Sequence, residues 1–317
     1  MQYFTEILVR ANELKPTIEL LCELQTRFVH AGTYNNLEVV LGNISTLLPK
    51  NAYQSVVINN EGGTCLTINL AFYHILNTLG FKVHLVAPFV QNYNQMELHN
   101  DRPTHMAIIV SIGEQQYLVD PGWGNGSRIP VPLNGEVINH LMGTFRVVSV
   151  GDEKIQFQRK FDEWVTQFIF DPNLAMHYND FQEMLEFIYS DNSMFRKSLF
   201  VTKAAPDFST ALVDDKLYTT FPSGDKKIES VDAMGGISQV LVDVFGLSPK
   251  YVESVVWAKE KIIEEVWFKL QSKWKIAENA DVPLSSSPLA FHRNFKNMND
   301  AKNVDLEKAN TPEYKKQ

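Results

Sequence analysis

Thr104-His105-Met106-Ala107-Ile108-Ile109-Val110-Ser111-Ile112-Gly113-Glu114-Gln115-Gln116-Tyr117-Leu118-Val119-Asp120 is the stretch that decides the fold. Met106–Ile112 and Gln116–Val119 are β-rich runs, and Gly113-Glu114 between them is a hairpin signal. In an antiparallel pair, facing residues have a constant index sum and share a face. A tight turn at Gly113-Glu114 gives a sum of 227, with Asp120 facing Ala107 one diagonal step from His105. Moving the turn back by one residue gives 225 and sets the two directly opposite. An even sum would separate them to opposite faces. The hairpin therefore offers an imidazole and a carboxylate within reach of each other. Taken singly, His105 also reads as a strand-end histidine, and Asp120 before Pro121-Gly122 as a turn former.

Outward from the hairpin, Lys82–Val86 alternates like a strand, and further strands are expected at Gly143–Val150, Lys154–Phe157, Val165–Phe170, Phe195–Thr202, Leu212–Thr220 and Lys227–Val231. Helices are expected over 15–29, 66–79, 179–190, about 237–245 and 251–270. In the first, Pro16 suits an opening turn, and Leu20, Leu21, Leu24 and Phe28 make one stripe. Cys22 lies in that helix as a buried packing residue. Helix 66–79 is apolar on most faces and is capped by Gly80. The chain reads as α+β: helices first, then an antiparallel sheet or barrel, then a mixed third part. The polar tail after about 275 reads as loosely held.

Composition narrows the function. The chain has 317 residues, 44% of them hydrophobic, and a formal charge of −8. With a pI near 5.5 it is a poor general binder of nucleic acid or anionic membrane. The N-terminus lacks a basic region followed by an apolar one, and no run reaches the roughly 18 apolar residues of a span, so the reading is cytoplasmic. Two cysteines, Cys22 and Cys65, exclude a disulfide framework and a multi-cysteine zinc site. The eight histidines show no paired ligand spacing, so no metal is expected. Asn43-Ile44-Ser45 fits a glycosylation sequon without meaning in a cytosolic chain. Gly122-Trp123-Gly124-Asn125-Gly126 reads as a turn, since no helix pattern follows it.

Cys65 follows Gly62-Gly63-Thr64 and opens the buried helix. Partial positive charge and unpaired N–H groups at a helix start favour a thiolate and can bind an oxyanion. The glycines give a substrate room at the backbone. The alternative is a small hydrophobe at a helix start. With His105 and Asp120, however, the residues for a Cys-His-Asp nucleophile are present: the carboxylate orients the imidazole, which deprotonates the thiol. The spacing itself does not bring Cys65 to the hairpin.

These segments resemble the arylamine N-acetyltransferases. Glu61-Gly62-Gly63-Thr64-Cys65-Leu66-Thr67-Ile68-Asn69 is similar to that family's Arg-Gly-Gly-x-Cys-Phe-Glu-x-Asn, and Thr104–Val110 to its Thr-His strand. Tyr117-Leu118-Val119-Asp120-Pro121-Gly122-Trp123-Gly124, continued by Pro130-Val131-Pro132-Leu133, is similar to its Val-Asp-Val-Gly-Phe-Gly motif. Tyr34-Asn35-Asn36-Leu37-Glu38 corresponds to Phe-Glu-Asn-Leu-Asp. Asp180-Phe181, Ser193-Met194-Phe195 and Val244-Phe245-Gly246-Leu247 follow in order. The likeness covers about residues 3–250.

The resemblance implies an N-terminal helical bundle (1–80) carrying the nucleophile, a central antiparallel β-barrel (81–190) carrying His105 and Asp120, a C-terminal α/β lid (191–250), and an extension (251–317). The core would be cysteine-protease-like. It implies ping-pong transfer of acetyl from acetyl-CoA through a Cys65 thioester to an arylamine, arylhydrazine or related amine. Gly63, Thr64, Pro121 and Trp123 become candidates for the pocket or oxyanion site. Arg102 and Thr104 become candidate CoA contacts, although the loop Gln91–Thr104 has no glycine to cradle phosphate. The departures are Glu61 for the family's Arg, Thr67 for its motif Glu, Asn35 for the Glu before Asn-Leu, and Pro121 and Trp123 for Val and Phe. A carboxylate four residues before Cys65 works against a thiolate. The alternatives are a related Cys-His-Asp enzyme with another acyl donor or acceptor, such as an amide synthase or hydrolase, and a non-catalytic binding protein of the same fold.

Overall fold

The helix over 15–29 forms because Thr17 caps it: its side chain accepts from Leu20 N–H, and Pro16 stays outside. In the computed structural model, which describes residues 1–42, 46–91, 102–124, 126–151, 153–190 and 193–255, it runs Ile18–Ala31. This is α2; α1 is Gln2–Val9. A short strand, β1 (Tyr34–Asn35), then α3 (Leu37–Leu41) and α4 (Pro49–Tyr53) follow, and α4 passes into a wider turn over Gln54–Ile58. The apolar helix α5 (Cys65–Thr78) crosses this bundle, with Leu66, Leu70, Phe72, Ile75 and Leu76 fully enclosed. Phe72 packs on Phe28, which packs on Phe4, so three helices share one aromatic column. Cys22 is partly rather than fully buried, because the inward face of α2 is Leu21, Leu24, Gln25 and Phe28.

The hairpin forms as its sequence dictates. After β2 (Lys82–Val86) and β3 (Phe89–Val90) come β4 (Ala107–Ile112) and β5 (Gln115–Val119), turning at Gly113, whose φ of +61° suits glycine. Ile108 pairs with Val119 and Ile112 with Gln115, so the index sum is 227. The sheet β2-β4-β5-β6 ends on β6 (Val131–Pro132). A second sheet follows from β7 (Ile138–His140), β8 (Gly143–Val150), β9 (Lys154–Lys160) and β10 (Trp164–Phe170), in the order β3-β10-β9-β8-β7.

The expected barrel is not closed: among the described residues no ladder joins these sheets. Pro132 has no N–H to offer a further strand, and Pro130 precedes it, which ends the ladder. The sheets close the core with side chains instead. Ala107, Ile109, Leu118 and Val131 meet Phe145, Phe157, Phe168 and Phe170.

After α6 (Gln182–Ile188), the run expected as one strand over Phe195–Thr202 is a helical turn, α7 (Met194–Lys197), and then β11 (Phe200–Ala204). Ser193 Oγ accepts from Phe195 N–H and starts that turn. Leu212–Thr220 is likewise two strands, β12 (Ser209–Val213) and β13 (Lys216–Thr220). Asp214 between them takes φ +52°, and its carboxylate accepts from Leu199 N–H. With β14 (Lys226–Ser230) they form the sheet β1-β11-β12-β13-β14, so β1 from the N-terminal helices edges a sheet otherwise built from residues after 199. Helix α8 (Ile237–Asp243) covers it through Val240 and Leu241. Residues 249–255 are helical; the rest of the expected helix over 251–270, the polar tail, the sequon and most of the loop Gln91–Thr104 lie outside the described residues.

Candidate active site

Cys65 is the first residue of α5. Thr64 before it is extended and makes no side-chain cap bond, and the first helical bond runs from Ile68 N–H to Thr64 O. The N–H groups of the opening turn therefore have no intrahelical partner. The loop leading in is pinned to β1: Gly63 N–H donates to Thr33 O at 3.3 Å, Asn35 N–H donates to Gly63 O at 2.9 Å, and Asn35 Nδ2 donates to Glu61 O at 2.9 Å.

This arrangement changes the part given to the glycines. A Cβ on Gly62 (φ +67°) would lie 2.2 Å from Thr33 O, and one on Gly63 would lie 2.7 Å from Thr67 Cβ. The chain itself, not a substrate, takes the room they leave. Gly63 N–H is engaged by Thr33, so the N–H of Cys65 is the better oxyanion candidate.

The carboxylate of Glu61 is also engaged. Its Oε2 accepts from Ser55 Oγ at 2.6 Å, and its Oε1 accepts from Asn59 Nδ2 at 3.2 Å. Two of the departures from the family's motifs, Glu61 and Asn35, meet through the Glu61 backbone carbonyl.

His105 and Asp120 meet as the register requires. His105 Nε2 lies 2.7 Å from Asp120 Oδ2, and both residues are buried. Cys65 at the start of α5 couples electrostatically to the same imidazole, so the two long-range partners of His105 come from the start of α5 and the turn after β5. Burial opposes a charge on His105, but Asp120 and Cys65 together outweigh it and push the imidazole up to about 10. The imidazolium is thus the resting form at neutral pH. Trp123 sets its ring edge-on 5.0 Å from His105, Phe168 packs on the imidazole at 5.5 Å, and the two rings meet each other at 5.3 Å. Both keep water from the pair.

Asn69 belongs to this site, although nothing in the motif marks it out beyond its place. It is wholly buried one helical turn after Cys65. Its Nδ2 donates to Asp120 Oδ1 at 2.8 Å and to Met106 O, and its Oδ1 accepts from Gly122 N–H at 2.8 Å. One side chain thus ties the helix of Cys65 to the segment of His105 and Met106 leading into β4 and to the turn of Asp120. An amide one helical turn after the cysteine, closing the motif Glu61–Asn69 on the buried face of the helix, is the signal the sequence offers.

Pro121 and Trp123 line a cleft with Phe28, Tyr34, Ile68 and Arg128. Arg128 forms its far end and anchors the β11–β12 connection by donating to the carbonyls of Ala205, Pro206 and Phe208. Gly126 N–H donates to Trp123 O at 2.7 Å. Thr104 N–H donates to Pro88 O, while its buried Oγ1 has no hydrogen-bond partner; Arg102 lies over the Phe187 ring at 5.4 Å. Among the described residues no group of three His, Cys, Asp or Glu side chains is placed to hold a metal, and no helix is long and apolar enough to cross a membrane.

The N-acetyltransferase family model matches residues 17–252. A probable arylamine N-acetyltransferase 3 of Dictyostelium discoideum is 29% identical over 199 residues, which are 56% of this chain and 64% of that relative, a little under two thirds of its length. A second from the same organism, probable arylamine N-acetyltransferase 2, is 22% identical over 284 residues, 78% of this chain and 94% of its own. The fold matches that of an arylamine N-acetyltransferase from Bacillus cereus described as having a unique Cys-His-Glu catalytic triad. The TM-score is 0.66 at 23% identity, over 78% of this chain and all of that one. It also matches the Salmonella typhimurium enzyme, with a TM-score of 0.68 at 20% identity over 80% of this chain and 98% of that one.

Proposed function

Because the chain belongs to the arylamine N-acetyltransferase family of enzymes, we propose that it transfers an acetyl group from acetyl-CoA through a thioester on Cys65 to an arylamine, arylhydrazine or related amine. The observation that carries this reading is Cys65 at the start of α5, coupled to an imidazole that Asp120 holds at 2.7 Å. Cys65 Sγ, as thiolate, attacks the acetyl carbon of acetyl-CoA. The N–H of Cys65 receives the developing oxyanion, and His105 gives its proton to the departing CoA sulfur. The amine then attacks the thioester, His105 takes the amine proton, and the thiolate is restored. Asp120 holds the imidazole orientation throughout.

Thr104, through its unpaired hydroxyl, and Arg102 are the residues proposed to meet CoA. Pro121 and Trp123 would face the acceptor in the cleft, where the Trp123 and Phe28 rings would pack on an aromatic amine. On this reading 1–80 supplies the nucleophile, 81–190 the base and its carboxylate, and 191–250 the lid. The setting is cytoplasmic, where acetyl-CoA and a reduced thiol coexist.

The test is intact-protein mass spectrometry after brief incubation with acetyl-CoA alone, with peptide mapping, on the wild type and Cys65→Ala. The expected result is one acetyl group on Cys65, absent from the variant and discharged by an added arylamine or hydrazine. Turnover surviving in Cys65→Ala removes the nucleophile assignment. No adduct on a Cys65 that still reacts with iodoacetamide points to another acyl donor.

A further inference from the structure

Asn60 is one of two non-glycine residues with a left-handed φ among the described residues, at +54°. It starts the loop that delivers Cys65, and two of its polar groups are held by the same distant turn. Its Nδ2 donates to Gly246 O, and its carbonyl accepts from Ser248 N–H at 3.1 Å. Gly246 is itself left-handed, at +68°. Thr33 makes a parallel link. Its carbonyl accepts from Gly63 N–H, while its Oγ1 donates to Phe245 O at 2.8 Å, a carbonyl that also accepts from Lys203 Nζ at 2.9 Å.

Residues 60 and 63 of the nucleophile loop are thus each joined to the turn at 245–248, the first directly and the second through Thr33. That turn is in turn fixed from below. Phe245 and Leu247 are buried with Val240, Leu241 and Tyr251. A left-handed asparagine is held at a cost, and it persists where its surroundings over-determine it.

We infer that the turn at residues 245–248 is a clamp on the nucleophile loop and that Asn60 is the positioning residue through which it acts. This rests on Cys65 being the nucleophile. The clamp and β1 hold the loop from two sides. Releasing one side lets the start of α5 shift relative to His105, whose own position is fixed by Asp120 and the hairpin. The clamp lies in the last stretch of the family match, so the closing turn of the fold bears on the reactivity of a thiol nearly two hundred residues earlier.

The experiment uses the full chain and two substitutions. Asn60→Gly keeps the left-handed φ and removes the side-chain bond. Asn60→Asp keeps the shape but sets a carboxylate oxygen against Gly246 O. Iodoacetamide labelling at pH 7 is followed at Cys65 and Cys22 in the same sample by peptide mass spectrometry. Cys22, partly buried on α2, reports general loosening. The expected result is a fall of about tenfold in the Cys65 rate in both variants, since displacements of a fraction of an ångström are felt at this level, with Cys22 within about twofold of the wild type. Under acetyl-CoA turnover kcat falls by the same factor and the acceptor KM is unchanged. A Cys65 rate in Asn60→Gly equal to that of the wild type, or both cysteines speeding up together, overturns the inference. If the wild type accepts no acetyl from acetyl-CoA, the labelling arm still reads, so a wrong donor and an idle clamp give different results.

Discussion

Replacing Asn69 by alanine tests whether the site is held as a unit. The substitution removes the donor to Asp120 Oδ1, the donor to Met106 O and the acceptor for Gly122 N–H, all in a region closed to water. Each partner left unsatisfied costs about 1–3 kcal/mol, so the loss in stability is roughly 4 kcal/mol after partial relaxation. For a fold of this size that lowers Tm by roughly 10 °C. The effect on rate is separate. Asp120 keeps its bond to His105 but loses the one that fixes its other oxygen, and a shift of about 1 Å in such a site costs up to about hundredfold.

We expect kcat to fall by ten- to a hundredfold at a temperature where thermal melting shows the variant folded. Asn69→Asp should fare worse, since it keeps the shape but places a second carboxylate beside Asp120. Thermal unfolding by circular dichroism and steady-state acetyl transfer are the two assays. A folded Asn69→Ala with wild-type kcat would show that His105 and Asp120 need no brace. An unchanged Tm would show that the three bonds contribute nothing.

Two further outcomes follow from the same geometry. Gly62→Ala should lower stability by roughly 3 kcal/mol or more, because φ is +67° and the new Cβ would meet Thr33 O at 2.2 Å; Gly113→Ala, at φ +61° with open space, should cost only about 1 kcal/mol, and equal melting temperatures for the two would contradict this. The His105 imidazole lies at about 10 in the folded protein against 6.5 for the free group, so its stabilisation is fully present below pH 6.5 and is lost as pH rises towards about 10. The Tm of the wild type should therefore fall more steeply over that window than that of His105→Gln, and parallel curves would refute the assignment.

The hairpin is legible in the sequence because its information is local. A glycine-bearing turn and two β-rich runs fix a register to within one residue, and parity then decides which side chains share a face. Helices α2 and α5 are legible for the same reason, from a stripe and a cap within one window. The elements that depart from expectation share a cause. Ser193 and Asp214 each use a side-chain bond to break what composition alone presents as one strand. Two prolines at β6 stop a barrel from closing through hydrogen bonds.

By itself, the sequence determined which residue types were available for nucleophilic chemistry and that His105 and Asp120 would lie together. Only the tertiary structure brought Cys65 to that pair, since nothing local relates the start of α5 to a hairpin 40 residues on. It also showed that Gly62 makes room for Thr33 and Asn35 and Gly63 for Thr67, that Asn69 braces three segments, and that Asn60 and Thr33 answer to a turn at 245–248. These are contacts between distant segments, fixed by how the helices and sheets bury their apolar faces. No periodicity within a single window encodes them.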